Sequence, residues 1–199
     1  EVTVRVDGRE ATGRGSIYLS DLWAWPEPSL THDQRDAELR KLCRQIADKL
    51  FALCGGEAAH PLELGLRLHE GVCREKTPPA LARAMCASPF DAAIHDAAGL
   101  ALGRSAFDFY REPAPLPSAD PHFADGKAAA AIARLIQRPK HSLRAWYLVG
   151  KADDMDRDVR PWIQDRGYRS FKIKIFGRNN ADDVARTVEI YRAVKRLGV

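Results

Sequence analysis

From Ser142 onward the sequence alternates between strand patterns and helix patterns, and this alternation constrains the fold more than any other feature. The order is an apolar strand over 143–149, a helix over 153–165 that Pro161 kinks or restarts, a second strand over 169–176, and a helix capped by Asn180. Asp182 and Asp183 fall in the first turn of this last helix, where acidic residues favour the helix dipole. Buried strands that alternate with helices predict a parallel sheet or a β/α barrel. Two such units cannot close a barrel, so we expect the barrel to be incomplete in this chain.

Two lysines alternate with apolar residues in the second of these strands. Phe171, Ile173 and Ile175 should project from one face, and Lys172 and Lys174 from the other. At a rise of about 3.3 Å per residue the two ammonium groups lie about 6–7 Å apart. Their repulsion is about 2.5 kcal/mol at an effective dielectric of about 20, so in a pocket one lysine gives up its proton readily and serves as a general base. A strand with one solvated face shows the same alternation, and this stretch alone fits both interpretations.

The earlier part of the chain predicts an α+β domain. An Asp7-Gly8 turn between Val2–Val6 and residues 9–19 is typical of a type I′ hairpin. Apolar periodicity predicts helices at 33–53, 61–76 and 79–102, with a break at Pro89 in the last, and a short helix at 127–137. A proline-rich connection precedes that short helix. We therefore predict a first domain at 1–125 and β/α units at 126–199.

An irregular aromatic loop lies between the hairpin and the first long helix. It contains Tyr18, Trp23 and Trp25 together with two prolines. Aromatic side chains in such a loop either line a binding site or pack on neighbouring helices. The sequence fits both.

Composition argues against several classes of function. The net charge of +4 is spread along the chain without a basic tract, so we expect no nucleic-acid binding. No apolar run approaches about 20 residues and no signal-peptide pattern is present, which favours a cytoplasmic protein without a membrane partner. The four cysteines form no C-x-x-C pair and the histidines lack helical i, i+4 spacing, so we expect reduced cysteines and no metal site within this chain.

Three segments together resemble the enolase superfamily, in its mandelate racemase and muconate-lactonizing branch. Residues 5–15 are similar to the family's hairpin with a D-G turn and a following G-x-G-E motif. Residues 88–103 are similar to its helix of the form S-A-x-D-x-A-x-x-D-x-x-G-K-x-x-G. Residues 167–177, followed by 183–186, resemble its G-[FY]-x-x-x-K-x-K-x-G strand and the helix after it. The resemblance implies an α+β capping domain followed by the start of a (β/α)-barrel.

This resemblance also implies an isomerase or lyase that acts on a small carboxylate. Lys174 would remove the proton α to the carboxylate, and Lys172 would assist it electrostatically. Tyr18, Trp23 and Trp25 would belong to a capping loop over the substrate. Mg²⁺ would stabilise the enediolate, held by carboxylates on later strands that this chain does not contain, so we expect the 199-residue chain alone to be inactive. A homo-oligomer is expected.

Several positions depart from the family pattern. Ser16 stands where the G-x-G-E motif has glutamate, Leu100 stands where the helix motif has lysine, and Phe176 is inserted before Gly177. These departures keep an alternative open, namely a divergent non-catalytic homologue or a fragment that acts as an assembly module. Asp91 and Asp96 lie five residues apart on the helix motif, where we expect them to be structural.

Overall fold

The computed structural model describes residues 1–111, 114–137 and 140–199. The chain divides into two compact units, Glu1–Gln137 and Arg138–Val199. This division lies later than the boundary predicted after residue 125. The reason is that Ala128 and Ile132 of the short helix pack against Leu62 and Leu66 in the first unit.

The first unit combines a hairpin with helices. Its strands are β1 (Val2–Val6) and β2 (Arg9–Gly13), and its α-helices are α1 (Asp21–Ala24), α2 (His32–Leu53), α3 (Pro61–Cys73), α4 (Ala80–Leu102) and α5 (Ala128–Leu135). Two 3₁₀ helices, Ala106–Arg111 and Asp120–His122, lie between α4 and α5.

The hairpin turns at Asp7 and Gly8, whose φ angles of 49° and 78° confirm the predicted turn residues. The ladder runs from Val6↔Arg9 to Val2↔Gly13. The second strand therefore ends at Gly13 and does not extend to residue 19 as predicted. Beyond Gly13 the backbone leaves the ladder and runs along α4.

Helix α4 forms the centre of the first unit, and its alanines allow close approach on several sides. Ala82, Cys86 and Ala97 are fully buried in it. The predicted break at Pro89 is wrong, because the helix is continuous from Ala80 to Leu102. Pro89 cannot donate to the carbonyl of Met85, but the Ser88 hydroxyl donates to that oxygen over 2.9 Å and satisfies it.

The second unit contains the two β/α pairs. It consists of β3 (Tyr147–Val149), a π-helical turn (Met155–Val159), α6 (Arg160–Gln164), β4 (Phe171–Ile173) and α7 (Asn180–Arg196). The strands are parallel, with Tyr147↔Phe171 and Val149↔Ile173 in register. Both strands are shorter than predicted. Pro161 lies in the first turn of α6, so the helix restarts there as the sequence indicated.

The core of the second unit lies between the strands and the helices. It is built from Val149, Val159, Ile163 and Ile190, with Phe171 and Ile173 packed against it. Within the described residues the two strands form an open pair and no closed barrel. The capping-domain and barrel assignment stays a prediction.

Helix α7 begins with an asparagine cap, one residue earlier than predicted. The side chain of Asn179 accepts a hydrogen bond from the Ala181 amide at 2.9 Å. Asp182 and Asp183 lie in the first turn, where their charges favour the helix dipole. In the parts of the chain that the structure describes, no helix is both long and apolar enough to cross a membrane.

Candidate active site

The two faces of the β3–β4 pair differ in what covers them. Phe171 and Ile173 pack on the helix side, against the core of the second unit. Lys172 lies on the opposite, exposed face, and its strand partner Leu148 is 41% exposed there. The predicted alternation is therefore confirmed for these residues.

The alternation does not extend as far along the chain as predicted. β4 ends at Ile173, and Ile175 is exposed rather than buried with Phe171 and Ile173. Lys174 follows the strand and its side chain is exposed, but its backbone amide still donates to the Val149 carbonyl at 2.9 Å. The lysine backbone is thus held by the ladder at the carboxyl end of the sheet.

Aromatic rings accompany the lysines of this unit. The ammonium nitrogen of Lys172 lies 4.9 Å from the ring centre of Trp146, a cation–π contact. Lys151, in the segment after β3, lies 4.4 Å from the ring centre of Phe176. We call the exposed face of the β3–β4 pair, which carries Lys172 and Leu148, the helix-free face. This face and the loops next to it therefore combine positive charge with exposed apolar surface.

The segment after β3 is fixed by side chains of its own unit. The Gly150 amide donates to Asp153 Oδ2 at 2.8 Å. Arg186 on α7 donates to the carbonyls of Gly150 at 3.2 Å and Asp153 at 2.6 Å. Arg186 of α7 therefore holds the loop that follows β3.

The segment after β4 is fixed in the same way by Asp183. Its two carboxylate oxygens accept hydrogen bonds from the amides of Phe176 at 3.1 Å and Gly177 at 2.8 Å. From the sequence we predict only a favourable interaction of Asp183 with the helix dipole. The position of Asp183 in the first turn of α7 is the sequence feature that could have indicated its contact with the preceding loop. Together these contacts order the carboxyl edge of the sheet, the edge where α/β folds place their ligands.

Tyr147 of β3 lies on the core side of the sheet and connects to the aromatic cluster of the unit. Its ring stacks on Trp162 at 5.1 Å and meets Tyr168 edge-on at 5.9 Å. Burial, followed by the nearby charges of Asp153 and Asp158, raises the pKa of the Tyr147 hydroxyl. The Tyr147 hydroxyl donates a long hydrogen bond of 3.4 Å to the Asp158 carbonyl, so this side chain has a structural role in the unit.

The three aromatic residues predicted to bind substrate lie in the first unit, whereas the two lysines lie in the second. Tyr18 is 85% exposed and Trp23 is 75% exposed, while Trp25 is 8% exposed and belongs to the core of the first unit. The sequence left two interpretations open for this loop, a binding-site lining or packing on neighbouring helices. The burial of Trp25 in the core fits packing on the helices. The substrate-binding role of all three stays a prediction.

A buried ion pair anchors this aromatic loop to α2. Arg35 Nε donates to Asp21 Oδ2 at 2.8 Å, and both side chains are 7% exposed. A second nitrogen of Arg35 donates to the carbonyls of Glu27, at 2.9 Å, and Leu30. Burial alone would raise the pKa of Asp21, but the hydrogen bonds from Arg35 and His32 outweigh it and the pKa lies below its usual value.

The residues present do not fit a magnesium site. Among residues 1–111, 114–137 and 140–199, no group of three or more histidine, cysteine, aspartate or glutamate side chains could hold a metal ion. Near the lysines, Asp153 and Asp183 already accept backbone hydrogen bonds within their own loops.

Comparison of the chain with protein-family models, with curated proteins and with solved structures found no match.

Proposed function

We propose that this chain belongs to an enzyme of the enolase superfamily that removes the proton α to the carboxylate of a small substrate. Lys174 would be the base and Lys172 its electrostatic partner. The observation that carries the proposal is the place of the two lysines on the parallel strands: Lys172 lies on the side away from the core, and Lys174 follows the strand at its carboxyl end, where its amide donates to the Val149 carbonyl. In a β/α barrel the side away from the core is the interior side, because the helices cover the outside.

A second observation comes from two of the three segments that carry the resemblance. The G-x-G stretch after the hairpin packs directly on α4. A Cβ atom at Gly13 would lie 2.2 Å from the Ala97 nitrogen, and one at Gly15 would lie 1.8 Å from the Pro89 oxygen. The Arg14 amide donates to Asp96 Oδ2 at 2.8 Å. Segments far apart in sequence thus form one packed unit, which supports the proposal that they belong to a single domain.

The chemistry assigned to this chain is limited to its own lysines. The neutral amine of Lys174 would take the α-proton, so a C–H bond breaks, an N–H bond forms, and the electron pair enters the enediolate. The ammonium of Lys172 would lie near the substrate carboxylate and offset the negative charge that develops. Racemisation, epimerisation, cycloisomerisation and dehydration all begin with this step.

Proton exchange tests this step without knowledge of the final product. The protein as its gene encodes it would be incubated in D₂O with Mg²⁺ and one of three probes: mandelate, gluconate or an N-acyl amino acid. We expect the α-proton signal of at least one probe to disappear from the ¹H NMR spectrum.

Variants separate the two lysine roles from general damage to the fold. Lys174→Met should abolish exchange, and Lys172→Met should slow it by roughly 10²–10³-fold, the usual loss when one group that stabilises developing negative charge is removed. Lys195→Met is the matched control, because Lys195 is exposed on α7 beside Tyr191, and it should exchange like the unmodified protein. Exchange that survives Lys174→Met would refute the assignment.

The exposed apolar surface of the second unit favours a second candidate, a non-catalytic assembly module. Trp146 is 55% exposed, and Val184, Val188 and Tyr191 form an exposed stripe on α7 at helical spacing. Parallel sheets are normally covered on both faces. If no probe exchanges and sedimentation shows a concentration-dependent oligomer, this second function replaces the first.

A further inference from the structure

A cavity of about 460 Å³ lies at the amino edge of the β3–β4 pair, within the second unit. Its wall is built from two short segments, residues 144–145 before β3 and residues 166–169 before β4. Because the two strands are parallel and in register, the segments that precede them meet at the same edge. The cavity therefore lies at the opposite end of the strands from Lys174, which follows β4, and the proposed proton abstraction does not use it.

Three of the six lining residues are arginines, namely Arg144, Arg166 and Arg169. All three are exposed. In the part of the chain that the structure describes, neither Arg144 nor Arg166 forms a hydrogen bond or an ion pair. Asp165 precedes Arg166 in the sequence, but among the described residues no aspartate or glutamate lines the cavity. The wall therefore carries positive charge without a carboxylate partner.

Arg169 is held in place by neutral groups. Its Nη1 donates to the carbonyls of Ile163 and Tyr168, both at 3.0 Å. These bonds orient the guanidinium group, but a carbonyl does not neutralise its charge. The described residues give no partner to its Nε and Nη2 groups, so these N–H groups can donate to a ligand.

The two segments of the wall are positioned by contacts inside the unit. The Tyr168 ring meets Tyr147 and Trp162 edge-on, with ring centres 5.9 and 5.8 Å apart. The Tyr168 amide donates to the Trp162 carbonyl at 3.0 Å, and Gly167, with a φ of 71°, provides the turn before it. The Tyr147 amide donates to the Ser170 carbonyl at 2.9 Å, which aligns the segment before β3 with the segment before β4.

The charge and size of the cavity indicate the class of ligand. Guanidinium groups bind phosphate through pairs of parallel hydrogen bonds. A carboxylate carries one negative charge, whereas a phosphoryl group on an organic molecule carries about two near pH 7 and has three strong acceptor oxygens, so it matches three arginines better. Small-molecule sites have volumes of about 300–1,000 Å³, and this cavity lies in that range.

We propose that this cavity binds a phosphoryl anion, either free phosphate or the phosphate group of a small organic molecule. Arg144 and Arg166 would donate to its oxygens from the two segments, and Arg169 would add a third guanidinium group. A polynucleotide fits less well, because its backbone needs cations along a path and these arginines surround a single cavity. The site does not depend on the proposed function, since it holds whether or not the lysines are catalytic.

Calorimetric titration of the whole protein at low salt tests the proposal with three probes: glycerol 3-phosphate, inorganic phosphate and acetate. We expect at least one of the two phosphates to bind saturably at one site per chain, and acetate to bind at least about tenfold more weakly. Tighter binding of glycerol 3-phosphate would identify an organic phosphate as the ligand, and equal binding would identify the phosphoryl group alone; both support the proposal. If neither phosphate saturates, or if acetate binds as tightly, the proposal is overturned.

Variants at exposed positions locate the site without disturbing the fold. Arg144→Met and Arg166→Met each remove one guanidinium group that has no partner among the described residues, and each should weaken phosphate binding by about tenfold. Arg192→Met is the matched control, because Arg192 is exposed on α7 away from the cavity wall, and it should bind like the unmodified protein. Binding that survives both substitutions, or an equal loss in Arg192→Met, overturns the proposal.

Arginine modification by phenylglyoxal, followed by peptide mass spectrometry, maps the site in the unmodified protein. With phosphate at about ten times its Kd, modification of Arg144 and Arg166 should slow by about tenfold, as mass action requires, and modification of Arg192 should not change. A single-stranded oligodeoxynucleotide serves as the competing probe. If it protects the same arginines more strongly at an equal concentration of phosphate groups, the wall binds a nucleic-acid backbone and the proposal is overturned.

Discussion

Replacing Gly13 by alanine tests the contact that joins the hairpin to the central helix. The added Cβ would lie 2.2 Å from the backbone nitrogen of Ala97 and 2.3 Å from the carbonyl oxygen of Ala93. Ordinary van der Waals contacts begin at 3.4 Å. The neighbouring atoms are helix backbone, so no side chain can rotate away to make room.

The cost follows from this geometry. The hairpin and α4 would have to separate by about 1 Å, and overpacking of this kind costs about 1–3 kcal/mol. We expect Gly13→Ala to reach the upper limit, about 3 kcal/mol, because the overlap involves rigid backbone on both sides. For a unit of this size that loss corresponds to a melting temperature lower by roughly 10 °C.

Thermal and urea unfolding followed by far-UV circular dichroism measure the loss. Gly8→Ala is the matched control on the same hairpin, since nothing lies within 4 Å of its added Cβ and only its φ of +78° is unfavourable. A left-handed alanine costs about 1–2 kcal/mol, so Gly8→Ala should be clearly milder. If Gly13→Ala destabilises no more than Gly8→Ala, the close approach of the hairpin to α4 is wrong.

Three further predictions concern single side chains. Glu63→Gln should lower the free energy of unfolding in urea by about 1–3 kcal/mol, because the buried carboxylate accepts from the hydroxyl and amide of Ser118 at 2.7 and 3.1 Å; an unchanged midpoint would refute this. Burial alone lowers the pKa of His95, but hydrogen bonds and charge from Asp91 outweigh it and raise the pKa above its usual value. The stability difference between the protein and its His95→Gln variant should therefore be largest below about pH 6.5 and shrink as the pH rises through the raised pKa; a difference that grows with pH would contradict this. Asn179→Ala removes the cap of α7 and should cost about 1 kcal/mol in thermal unfolding, whereas a neutral effect would show that the cap contributes nothing.

The sequence predicted the order and kind of most elements because their signals are local. The Asp7-Gly8 turn depends on backbone preferences of two adjacent residues, and the helix stripes depend on spacing within each helix. The alternation around Lys172 predicted which side chains face the core for the same reason. For these residues the determining preferences are local, and the pattern and the structure agree.

The prediction and the structure disagree where the conformation depends on a hydrogen bond that the residue pattern does not show. Pro89 predicts a break, but the Ser88 hydroxyl satisfies the carbonyl that proline leaves free. Strand ends depend on partners, so β4 stops at Ile173 although the alternation runs on to Ile175.

Both proposed functions, the enzyme and the assembly module, involve the helix-free face of β3 and β4. A parallel pair leaves Leu148 and Lys172 exposed there, with Trp146 in cation–π contact with the lysine. Exposed apolar area of this kind favours burial at about 25 cal/mol per Å², so a further layer of protein on this face would be stabilising. That layer would also enclose Lys172, which lies on this face. A covering layer that left a pocket would be compatible with the proposed enzyme, whereas self-association through the same face would bury Lys172 without room for a substrate.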